Sequence, residues 1–241
     1  MTKQIVVQSA SEADARLWRL TKEIARLFAG LPWTLIGGQM VAIIEAEHDA
    51  VIARATIDVD ALLDVRIVAT VTHDAAAILR AAGFEPAPTG DGLSYRFWRG
   101  SGIVDILVPD HLGDRADLQT VPPGVTIEAV GGRQALNRSR MVDVDAGDGM
   151  FELPVPSLIG AIIIKSRVAA TAQTGADKHL RDLARLLALV QEAKTCRAEL
   201  SRGERACLRV HAELQDVDHP AWRGIAGKEN GALALSILGE A

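Results

Sequence analysis

Aromatic side chains are scarce: four Phe, four Trp and one Tyr make up 4% of the chain. A core must therefore rest on Val, Ile, Leu and Ala, and a platform of aromatic rings for stacking bases is not the expected mode of nucleic-acid binding. Cysteine is nearly absent. Cys196 and Cys207 belong to no CxxC pair, and they read as two free thiols of a reducing cytosol. An excess of basic charge is missing too. The formal net charge is −5, opposite in sign to that of proteins that coat phosphate backbones. No long apolar run occurs. The first residues lack a signal-peptide core, and the most apolar later stretch, 158–164, is too short to span a bilayer and leads straight into Lys165. The chain reads as soluble and cytoplasmic, without a membrane partner. Its 49% hydrophobic and 24% charged residues exclude general disorder, and 241 residues suit one large domain or two small ones.

Hydrophobic periodicity predicts the elements. A helix over 9–30 is capped by Ser11, carries Glu12 and Asp14 in its first turn, and repeats Leu17, Leu20, Ile24 and Leu27 at helical spacing before Gly30. A strand over 33–36 runs into Gly37-Gly38, and a helix follows over 39–47. Residues 56–63 alternate as a strand, with Ile57 and Val59 on one face and Asp58 and Asp60 on the other. A helix over 73–82 stops at Gly83, and strands over 93–98 and 103–108 flank a hairpin turn at 99–102. Weaker strands at 126–130 and 141–144 bracket a short helix near 133–138. Beyond Pro154 and Pro156 the pattern turns helical, over 158–172, 176–193 and 201–214, with a last short pair. The expected fold is α/β (α+β), a mixed-sheet core over 1–153 followed by a helical C-terminal half over 154–241.

Three features carry chemistry. Gly37-Gly38 between a strand and a helix lets backbone approach a ligand, and the helix start aims free N–H groups at it, which suits a phosphate. A tight turn needing positive φ is the plainer reading of that dipeptide alone. Asp58-Val59-Asp60 puts two carboxylates on one strand face. A divalent cation would neutralise them, whereas an edge strand facing solvent would leave them hydrated. Asp105 interrupts the apolar run 103–108. A buried carboxylate needs a partner, either a metal shared with Asp58 and Asp60 or a basic side chain.

This order of Gly-Gly, Asp-x-Asp and a later strand Asp resembles the nucleotidyltransferase superfamily related to DNA polymerase beta. It is most similar to the AbiEii-type toxin nucleotidyltransferases, on residues 34–64 and 155–187. In the second stretch Pro156-Ser157-Leu158 leads to Lys165, and Lys178-His179-Leu180-Arg181-Asp182-Leu183 follows. The resemblance implies Asp58, Asp60 and Asp105 as joint ligands of two metal ions, Mg2+ (or Mn2+), with Asp105 also available to deprotonate the acceptor. It implies Gly37, Gly38 and Lys165 at the phosphates of a nucleotide triphosphate, and Asp182 as a further site residue. It implies transfer of a nucleoside monophosphate to a tRNA end or a protein hydroxyl, and a toxin paired with an antitoxin protein. Three departures stand out: Gly38 in place of a common Ser, a long gap between Gly38 and Asp58 that predicts a loop near 47–54, and His179 in place of an acid.

Plainer readings stand beside these. Lys165 could be a surface lysine lying along apolar neighbours, and Arg167 and Arg181 likewise. Asp182 could orient Lys165 or Arg181 through a salt bridge. His73, His111 and His179 lack metal-ligand spacing, and Asp143, Asp145 and Asp148 sit among glycines as a solvated turn. The basic stretch 194–209 reads as a solvated helix face. Two rival functions remain: a small-molecule nucleotidyltransferase of the aminoglycoside type, which the net negative charge allows, and a non-catalytic binding module that kept the fold.

Overall fold

A computed structural model describes residues 4–50, 56–87, 91–113, 116–172 and 174–240. Strand β1 (Ile5–Val6) precedes helix α1 (Glu12–Leu27), whose N-cap Ser11 accepts a hydrogen bond from the Asp14 N–H at 3.2 Å. Strand β2 (Trp33–Ile36) is buried along its whole length and passes without a linker into helix α2 (Gly37–Glu47). Strand β3 (Val59–Leu63), helix α3 (Val71–Ala81), strand β4 (Glu85–Pro86), strand β5 (Arg96–Arg99), strand β6 (Gly102–Pro109) and strand β7 (Glu128–Ala129) follow. The main sheet has the order β2-β3-β6-β5-β4, with β7 added beside the end of β6. Its centre is the parallel pair β3 and β6, the arrangement that requires an intervening crossover, and α3 lies in that crossover.

The turn at 99–102 forms as expected. Arg99 pairs with Gly102 across a two-residue loop, so Arg96 stands opposite Asp105. The strand expected from Thr56 begins only at Val59. Ile57 is 71% exposed and belongs to no buried face, since the chain joins the sheet where Val59 meets Val104 of β6. The loop expected near 47–54 falls largely outside the described residues, although Asp49 adopts φ +56° at its start.

Helix α4 (Gly132–Asn137) leads into strand β8 (Ser139–Asp145) and strand β9 (Met150–Pro156), which with β1 make a second, three-stranded sheet in the order β1-β8-β9. Strand β9 was not expected. Phe151, Leu153 and Val155 alternate inward, and Pro154 and Pro156 are tolerated because β9 is the edge of its sheet. The change to helices therefore comes at Ser157, whose hydroxyl accepts from the Gly160 N–H at 3.3 Å and caps helix α5 (Leu158–Thr171). Helix α6 (Ala176–Ala188) ends earlier than its periodicity implies. Helix α7 (Ala193–Ala198), helix α8 (Arg202–Arg209) and helix α9 (Lys228–Gly239) complete the chain, with short 3-10 turns at Ala212–Gln215 and Pro220–Trp222. Ser201 and Glu204 form a reciprocal capping box at the start of α8.

One hydrophobic cluster runs through both parts, from Leu35, Ile44 and Leu62 to Ile162, Leu183, Leu187 and Leu235. Inside it, Arg185 of α6 donates to Glu45 of α2 at 2.6 Å. Removing one partner of such a buried pair costs about 3–5 kcal/mol, so the pair fixes α2 against α6. No helix among the described residues is long and apolar enough to cross a membrane.

Candidate metal and nucleotide site

Parallel pairing of β3 with β6 sets Asp60 directly beside Asp105. Asp58 stands just ahead of β3. Oxygens of Asp58, Asp60 and Asp105 all lie within 4.8 Å of one another, the one such group of potential metal ligands among the described residues. The expected juxtaposition therefore holds. Asp105 also has the basic partner that the sequence left open beside a metal, and that partner is Arg96. Arg96 Nε donates to Asp105 Oδ1 at 2.8 Å, and Arg96 Nη2 donates to Asp105 Oδ2 at 2.7 Å while lying 3.5 Å from Asp58 Oδ2. Both oxygens of Asp105 thus accept a hydrogen bond from Arg96. Thr56 Oγ1 donates to Asp58 Oδ1 at 2.9 Å.

Electrostatics concentrates on Asp60. Burial first, then the charges of Asp58 and Asp105, push its carboxyl from 3.8 up to about 7, although Lys165 and Lys178 pull the other way. Burial also raises Asp105, against the opposing pull of Arg96. The hydrogen bond to Asp105 lifts the Arg96 guanidinium above its ordinary value. The cluster thus holds more negative charge than its own cations compensate, a condition that a divalent cation relieves.

Gly37 and Gly38 fit this cluster by what they lack. Gly37 has φ +76°, and a Cβ there would lie 1.7 Å from Asp60 Oδ2. A Cβ on Gly38 would lie 2.8 Å from Thr56 Cβ and 2.9 Å from Thr56 Oγ1. Any side chain at either position would fill the space of a site carboxylate or of the hydroxyl that holds one. Gly37 thus serves both as the tight turn and as the close approach. Helix α2 has no side-chain N-cap and no acid in its first turn, so its leading N–H groups and dipole remain available to an anion.

A cavity of about 290 Å³ opens between the acids and the helical layer. Asp58, Asp60, Gly37 and Gly38 form one wall, Lys165, Lys178 and His179 another, and Leu107, Ile127, Val130, Ile164 and Val168 an apolar third. Lys165 is 4% exposed, so it is no surface lysine. Its Nζ donates to Asp182 Oδ2 at 2.7 Å in a buried pair between α5 and α6. Asp182 is therefore a positioning residue for Lys165, one of the two roles its sequence allowed. Arg181 instead donates to the Arg223 carbonyl. A separate hollow of about 380 Å³ beside α1 is lined by Arg16, Arg19 and Arg99 and contains none of the three acids; Glu12 and Glu23 pair with these arginines.

Arg96 and Thr56 are the residues missed from sequence. Arg96 was open to inference, because counting back from the two-residue turn pairs it with Asp105. Thr56 had no distinguishing signal. Both cysteines are free of disulfides. Comparison of this chain with protein-family models, with curated proteins and with solved structures finds no match.

The donor set suits Mg2+ or Mn2+: hard carboxylate oxygens close enough to share one ion, two of them, Asp58 and Asp60, on the wall of the cavity.

Proposed function

We propose that this protein is a metal-dependent nucleotidyltransferase. The observation that carries the reading is the convergence of Asp58, Asp60 and Asp105 at the edge of one cavity, which Asp58, Asp60, the glycine turn, Lys165 and Lys178 line. The reaction moves a nucleoside monophosphate from a nucleotide triphosphate to an acceptor. An acceptor oxygen bonds to the α-phosphorus, the bond from that phosphorus to the bridging oxygen breaks, and pyrophosphate leaves. Asp58 and Asp60 hold the cation, and Asp105 closes the acidic face beside them. A divalent cation at this place supplies charge neutralisation to the phosphates and acidity to an attacking hydroxyl. Gly37 and Gly38 bring backbone N–H groups to the phosphates, in keeping with an uncapped helix start. Lys165, fixed by Asp182, offsets phosphate charge as a point cation. The apolar wall of Leu107, Ile127 and Val168 is the surface suited to a base or sugar.

A tRNA end or a protein hydroxyl is the proposed acceptor, and a toxin role with an antitoxin partner is the proposed context. The test incubates the protein with each of the four triphosphates, labelled at the α-phosphate, with Mg2+ or Mn2+. Total RNA, cellular protein and an aminoglycoside serve as separate acceptors. Labelled RNA or protein, lost in Asp60→Ala, supports the reading. Label on the aminoglycoside moves the acceptor to a small molecule, and no label on any acceptor defeats the proposal.

A further inference from the structure

The cluster contains a cation of its own, and its position is specific. Arg96 Nη2 lies 2.7 Å from Asp105 Oδ2 and 3.5 Å from Asp58 Oδ2. It thus bridges two of the three carboxylates that could hold a metal ion. Arg96 Nε takes the remaining Asp105 oxygen at 2.8 Å, and Thr56 takes the other oxygen of Asp58 at 2.9 Å. Asp58 Oδ2, ion-paired to Arg96 at 3.5 Å without a hydrogen bond, and Asp60, whose Oδ2 abuts the glycine turn, are the carboxylate groups left on the cavity side.

Charge points the same way. With a cation bound and the three carboxylates ionised, they and the one guanidinium carry two net negative charges, which one divalent cation balances. Two such ions would leave the site strongly positive before any phosphate entered. The backbone pairing of Arg96 with Asp105 also fixes the guanidinium in place, since the two residues face each other across neighbouring strands. A planar, always charged fork matched to a carboxylate is costly to displace.

We infer that the site takes one divalent cation, on Asp58 and Asp60, and that Arg96 occupies the place of a second. The inference rests on the metal reading above and deepens it. Arg96 is then a built-in cation that sets metal stoichiometry, and Asp105 holds that cation rather than an ion from solution.

Counting bound Mn2+ on the full chain by electron paramagnetic resonance tests this without an activity assay. The parent is expected to bind one ion per chain. Arg96→Met, which keeps an unbranched stem and removes the charged guanidinium, should bind two. Arg96→Lys, which keeps the charge, should return to one. A parent that binds two ions overturns the inference while leaving the nucleotidyltransferase reading standing. So does an Arg96→Met protein, folded by circular dichroism, that still binds one. Failure of the parent to bind any Mn2+ overturns both. The parent count decides even if Arg96→Met does not fold.

Discussion

Replacing Asp60 by Asn should stabilise the metal-free protein at neutral and alkaline pH. In the folded chain the Asp60 carboxyl is raised from 3.8 to about 7 by burial and by Asp58 and Asp105. A folded-state pKa above the unfolded one means that the native protein holds this proton more tightly. Stability is therefore fully present below about pH 4 and is lost as pH rises through about 7. At about 1.4 kcal/mol per pH unit, the whole interval corresponds to about 4 kcal/mol. Water at the cavity mouth screens part of it, so about 2–4 kcal/mol is the expected range. Asn cannot ionise and nearly matches the protonated acid in shape. For a chain of this size each kcal/mol moves the melting temperature by about 2–4 °C. Thermal melts in EDTA should show Asp60→Asn near the parent at pH 4.5 and about 4–16 °C above it at pH 8. Added Mg2+ should raise the parent's melting temperature at pH 8 and leave the variant's unchanged, because only a protein that binds a ligand is stabilised by it. A variant that melts below the parent at pH 8 without metal would make Asp60 a structural residue and refute the reasoning.

Other changes follow from the same geometry. Gly37→Ala should abolish the Mg2+-dependent shift in melting temperature and cost at least about 1–2 kcal/mol, since positive φ and the Asp60 carboxylate both oppose a Cβ; an unaltered Mg2+ shift would show that the turn is not part of the site. Lys165→Ala should weaken nucleotide binding about 10- to 150-fold, as a charged hydrogen bond is worth about 1.5–3 kcal/mol. It should also destabilise the fold, because the buried Asp182 loses the Nζ donor at 2.7 Å. The double variant Lys165→Met/Asp182→Asn should recover most of the stability and none of the binding, as calorimetry and melts would show. Arg185→Met should cost more at pH 8 than at pH 5. Burial already holds Glu45 at about 7 despite Arg185, so Glu45 is neutral at the lower pH and an uncompensated charge at the higher one; equal losses at both pH values would contradict this.

The acids could be read from the chain because strand chemistry is local. Asp58-Val59-Asp60 shows its face through a two-residue spacing, and Asp105 is conspicuous inside an apolar run. Arg96 was within reach through the register of the 99–102 turn but was not drawn from it. Other features leave no local trace. Glu45 and Arg185 meet across 140 residues, and Lys165 meets Asp182 only because α5 and α6 pack together. Strands β1 and β4, two residues each, are too short to show any periodicity. Strand β9 does alternate through Phe151, Leu153 and Val155, but its two prolines read as a domain boundary rather than as an edge strand. Lys165 could pass for a surface residue because sequence cannot tell an apolar helix face from the helices that cover it.

Nucleotidyl transfer is tested most directly by following the two ends of the triphosphate. Parallel reactions would contain Mg2+, total RNA or cellular protein, and a triphosphate labelled at either the α- or the γ-phosphate. The site described here predicts α-label on the acceptor, γ-label in released pyrophosphate, and neither in Asp60→Asn. Transfer of γ-label to the acceptor, or no transfer with any of the four triphosphates, would contradict it.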